Sequence, residues 1–70
     1  MIEAEWRADV EAAVVGTEWA VESVAVTQGF PYAVAALKHV GTQETRIVQV
    51  SLATALSKAY QKTEILKQLL

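Results

Sequence analysis

The stretch PYAVAALKHV, residues Pro31 to Val40, decides how the rest of the chain is assembled. Read alone, it predicts a helix. Pro31 suits a first helical turn, where its missing N–H has no partner to lose. Phe30, Val34, Leu37 and Val40 then form a buried stripe. Lys38 and His39 fall in the last turn, where positive charge is favourable against the helix dipole. Gly41 follows just past the end, where glycine adopts positive φ at little cost.

Working outward, both flanks of this segment read as strands. RIVQV (Arg46–Val50) is rich in β-branched residues, and Val and Trp dominate TEWAVESVAVT (Thr17–Thr27). A strand–helix–strand unit implies parallel pairing through a right-handed crossover. Further upstream, Ile2, Ala4, Trp6, Ala8, Val10 and Ala12 alternate with Glu3, Glu5, Arg7, Asp9 and Glu11. Period-two alternation favours a strand with one buried face. Ala and Glu also suit a helix, but a helix would spread those charges around its circumference. With a turn at Gly16-Thr17, Val14 faces Trp19 and Ala12 faces Val21. Trp6 and Trp19 then share one face, and Val24 and Val26 lie on the other.

Downstream, Ser51 is a credible N-cap. Leu52, Leu56, Ala59, Thr63, Leu66 and Leu70 recur in steps of four and three, one apolar stripe on a helix that runs to Leu70. Ile65 and Leu69 fall outside it, beside Lys58 and Lys62. The expected fold is therefore α+β, a two-layer sandwich in the order ββαβα. A three-stranded sheet carries two helices on one face and leaves the other face partly bare.

Seventy residues make a single small domain, residues 1–70, whose core is marginal. Small domains compensate with disulfides, metals or oligomerisation. The chain has no cysteine and one histidine, so thiolate and histidine-cluster metal sites are excluded. It is 53% hydrophobic but only 7% aromatic, which points to self-association. The run free of charge from Ser23 to Leu37 contains Gly29 and Pro31 and is too short to span a bilayer. A cytoplasmic, non-membrane protein is the expectation. Residues 1–28 carry six acids and one base, residues 29–70 five bases and two acids, so charges of −5 and +3 make up the net −2. Such a split suits a basic working face, head-to-tail contact between subunits, or two solvated faces of opposite sign.

Catalytic templates are missing. Gly16, Gly29 and Gly41 are too dispersed to cradle a phosphate. His39 has no nucleophile near it in sequence, and the acids near the N-terminus read as a solvated strand face. No enzyme, cofactor or metal is expected. Trp6 and Trp19 are candidate core or interface anchors, and Ile65 and Leu69 a candidate subunit contact rimmed by lysine stems. Lys58, Lys62 and Arg46 are the candidate nucleic-acid contacts, although such binders are usually strongly basic and this chain has pI ≈ 5.2.

The C-terminal forty residues, with the Ala35-Ala36-Leu37 helix, the β-branched strand and Ala55-x-Ser57-Lys58-Ala59 leading to Glu64-Ile65, resemble the Alba family of chromatin and RNA-binding proteins. The resemblance covers about residues 29–70 and implies a small α/β dimer with a basic surface near the start of its first helix. Here that position is Gln28-Gly29-Phe30, with no lysine. The functional expectation is a non-enzymatic homo-oligomeric interaction domain, dimeric first, with an Alba-like nucleic-acid-binding module as the alternative.

Overall fold

The computed structural model describes residues 1–70. Its elements are helix α1 (Glu3–Ala13), strands β1 (Trp19–Val26), β2 (Tyr32–His39) and β3 (Thr45–Ser51), a single-turn helix α2 (Leu52–Ala55) and helix α3 (Gln61–Leu69). The fold is α+β, as expected, with a three-stranded sheet. The element order is not the expected ββαβα. The sheet is an antiparallel meander in the order β1-β2-β3, without a crossover.

Two segments exchange roles. Residues 3–13 are a helix because their deeply apolar positions are Trp6, Val10 and Ala13, spaced by four and three, and these are the ones buried. The alternating Ala4, Ala8 and Ala12 are exposed. Glu3 and Glu5 lie in the first turn, where acids complement the dipole, and Arg7 faces Glu11 at 3.6 Å one turn on.

PYAVAALKHV is the central strand. Ala33, Ala35 and Leu37 are wholly buried on one face, and Tyr32, Val34, Ala36 and Lys38 alternate on the other. Alanine's helix propensity is a weak preference, overridden when both strand edges are paired and one face is covered. Small side chains are useful here: Trp6 lies over β2, and its indole N–H donates to the Val34 carbonyl at 3.0 Å. Gly41 serves the β2–β3 turn instead of ending a helix. A Cβ there would fall 3.2 Å from His39 Cε1, so glycine leaves room for the imidazole.

All three strands bury the same face against the helices. The inner residues are Ala33, Ala35 and Leu37 of β2, Val48 and Val50 of β3, and Trp19, Val21, Val24 and Val26 of β1. Trp19 and Val21 share a face with Val24 and Val26 because a bulge intervenes. Val21 pairs with Leu37 but Ser23 pairs with Ala36, so one residue is inserted and the strand's phase flips. The expected division of these residues between two faces is thereby corrected.

The long C-terminal helix is also divided. Ser51 caps α2 as expected, its Oγ accepting from the Thr54 N–H at 3.3 Å. The helix then breaks between Leu56 and Tyr60. Gln61, 6% exposed, fills the corner: its amide donates to the Ala55 carbonyl at 2.6 Å and to Asp9 at 3.3 Å. The break resets the phase of α3, so Gln61, Ile65 and Leu69 face the core. Leu56, Ala59, Thr63 and Leu70 of the expected stripe are exposed, and Leu52 and Leu66 are half-buried. No helix is long and apolar enough to cross a membrane.

Candidate self-association edge

The candidate anchors are not displayed together. Trp6 and Ile65 have no exposed surface and Leu69 is buried, so these three hold the core together instead of offering a contact surface. Trp19 is half-buried at the start of β1. The guanidinium of Arg46 lies 5.2 Å from its ring centroid, and the imidazole of His39 meets it edge-on at 5.0 Å.

His39 is fully engaged. Its Nδ1 accepts from the backbone N–H groups of Gly41 and Thr42 at 3.2 and 3.1 Å. Its Nε2 lies 2.9 Å from Glu18 Oε2. These partners set the tautomer with the proton on Nε2 and leave neither nitrogen free for proton transfer to a substrate. Thr17, Glu18, Trp19 and His39 face Leu66, Leu69 and Leu70 across a mostly apolar notch of about 340 Å³. No three His, Cys, Asp or Glu side chains converge as a metal site would require.

The candidate cations are dispersed, and two of the three are paired with carboxylates. Lys58 bonds Asp9 at 2.7 Å and so ties the α2–α3 corner to α1. Arg46 bonds Glu44 at 2.6 Å and reaches the carbonyls of Gln68 and Leu70 at 3.4 and 3.5 Å. Lys58 precedes α3, whereas Arg46 touches its far end. A helix of nine residues separates them, roughly 14 Å at 1.5 Å per residue. Lys62 is exposed on the first turn of that helix.

The sheet itself carries the asymmetry. Along β3, the Gln68 side chain imitates a neighbouring strand: its Oε1 accepts from the Gln49 N–H at 3.1 Å and its Nε2 donates to the Gln49 carbonyl at 2.9 Å. Along β1, no side chain or helix makes that kind of contact with the outward backbone groups of Val21, Val24 or Val26. The outer sheet face is lightly charged as well. Ala20, Ala25, Tyr32, Val34, Ala36 and Ile47 dominate it, and Lys38 is the charged residue among its regularly paired positions. Sequence reading missed both features, because each depends on which strand lies at the edge.

The chain matches no protein-family model, and no curated protein or solved structure matches it.

Proposed function

We propose that this chain is a non-enzymatic interaction domain that associates with copies of itself, first as a homodimer. The observation that carries the reading is the edge of β1: the outward backbone groups of Val21, Val24 and Val26 have no partner within the chain, whereas on β3 Gln68 occupies those of Gln49. An uncovered edge is a template for another strand, and proteins that must stay monomeric blunt such edges with charged side chains, proline, bulges or a covering element. β1 contains neither lysine nor proline, and its one charge, Glu22, sits at its bulge. The lightly charged outer face beside it favours association further, since a solvated antiparallel sheet normally carries polar residues there.

Sedimentation velocity over a micromolar concentration series tests the reading. A sedimentation coefficient that rises with concentration to that of a dimer is expected. A folded monomer throughout the series overturns it.

A further inference from the structure

We infer that two copies join through β1, antiparallel, about a two-fold axis that passes between Glu22 and Ser23, to make one continuous six-stranded sheet. This rests on the self-association reading and specifies its register.

The first support is the sequence of the edge. Ala20-Val21-Glu22-Ser23-Val24-Ala25 reads Ala-Val-x-x-Val-Ala in both directions. Antiparallel self-pairing about its centre sets Val21 opposite Val24 of the second copy, Ala20 opposite Ala25, and Trp19 opposite Val26. A two-fold interface must be self-complementary in this way. Glu22 falls opposite the second copy's Ser23, a hydroxyl donor, not opposite its own kind.

The second support is the bulge. Residues facing one another across a ladder must point to the same side of the sheet. In a regular strand Val21 and Val24 point to opposite sides, and this register would be forbidden. The inserted residue between Val21 and Ser23 flips the phase, so Val21 and Val24 both point inward and Ala20 and Ala25 both point outward. The bulge in β1 is what makes the strand match itself.

The third support is the direction of the backbone groups. The Glu18 carbonyl accepts from the Val40 N–H, so Glu18 faces β2 and alternate residues Trp19 and Val21 face outward. Beyond the bulge, Gln49 turns its N–H and carbonyl away from β2 to meet Gln68, so its neighbour Val34 turns toward β1 and bonds Ala25. Val24 and Val26 therefore also face outward. The outward-facing residues on each copy are Trp19, Val21, Val24 and Val26; the proposed register makes Val21 and Val24 hydrogen-bonded pairs and sets Trp19, whose N–H is donated to Thr17 Oγ1 at 3.2 Å, opposite Val26 at the ends. Beside this edge an open depression of about 390 Å³ lies between Ser23 and Val24 of β1 and Glu3, Ala4 and Arg7 of α1.

Cysteine cross-linking reads the register, since the chain has no cysteine of its own. Ala20 and the second copy's Ala25 form a non-hydrogen-bonded pair, with Cα atoms about 4.5 Å apart, within disulfide reach. Two copies of Ala20 lie five positions apart along the strand, about 17 Å, and cannot be bridged. Mixed A20C and A25C proteins, oxidised at a concentration where sedimentation shows dimer, should give a covalent dimer. Each variant alone should not. If the dimer sediments as such but the mixture fails to cross-link, or each variant cross-links alone as readily, the register is overturned while self-association stands. If the unmodified protein sediments as a monomer, both fall.

Discussion

Gln61 is the residue on which the C-terminal segment depends. A buried amide costs stability unless its polar atoms are bonded. Here they are, because Gln61 donates to Ala55 and to Asp9 at the corner where the helix breaks. The consequence is a core stripe of Gln61, Ile65 and Leu69 that a hydrophobic wheel does not find, since its first member is polar. Ile65 is completely buried and Leu56 is 59% exposed. Ile65→Ala should therefore cost about 2–5 kcal/mol, whereas Leu56→Ala should stay within about 0.5 kcal/mol, read from urea unfolding followed by circular dichroism. A large loss at Leu56 would mean that the segment is one unbroken helix after all. The sequence showed that apolar residues repeat here with helical spacing. It did not show where the repeat restarts, because that is decided by an amide contacting α1, some fifty residues away in the chain.

At the scale of elements, the same limit explains the exchange of helix and strand. Residues 2–13 satisfy both period two, from Ile2 to Ala12, and the four-three spacing of Trp6, Val10 and Ala13, and only the second set is buried throughout. Local pattern could not choose between them. In residues 31–40, alanine misleads because small side chains beneath Trp6 serve packing at the centre of a sheet, not propensity. What was legible was the class, a three-stranded sheet with helices on one face, together with Ser51 as a cap and strands read at 17–27 and 46–50 that fall at 19–26 and 45–51; the third strand, read at 2–12, lies at 32–39. The bulge was not legible as such, although Val-Glu-Ser-Val spaces its apolar residues by three, which an uninterrupted half-buried strand does not do. Deleting Glu22 should restore a regular strand and force either Trp19 and Val21 or Val24 and Val26 off the inner face. These side chains are half-buried. Losing two of them should cost about 2–3 kcal/mol, given roughly 1.5–3 kcal/mol for each full burial. Glu22→Ala keeps the chain length and should change stability by no more than about 0.5 kcal/mol. Urea midpoints of the two variants measured side by side check the argument. Equal midpoints would show that the insertion has no bearing on the core.

For the whole molecule, the charge division between the two halves of the sequence does not gather Lys58, Lys62 and Arg46 into one patch. Folding sets members of the two halves against each other: Lys58 on Asp9 and His39 on Glu18. These are partly exposed pairs of modest energy, yet they place acids beside bases. Arg46 is occupied by Glu44, and Glu3, Glu5 and Glu11 remain exposed along α1. A surface that follows a phosphate backbone needs several cations on one groove or stripe, each of which releases counterions on contact. Lys58, Lys62 and Arg46 are instead spread from one end of α3 to the other, two of them already paired with carboxylates. Labelled duplex DNA and single-stranded RNA titrated with the protein at low ionic strength should show no saturable change in fluorescence anisotropy in the micromolar range. Substituting Lys58 and Lys62 together by alanine should leave that result unchanged. Saturable binding that weakens steeply with added salt, and is lost in the double variant, would reverse the conclusion and make the lysine end of α3 the working surface. A flat titration would leave the edge of β1 as the proposed contact surface, to be judged by sedimentation and cross-linking.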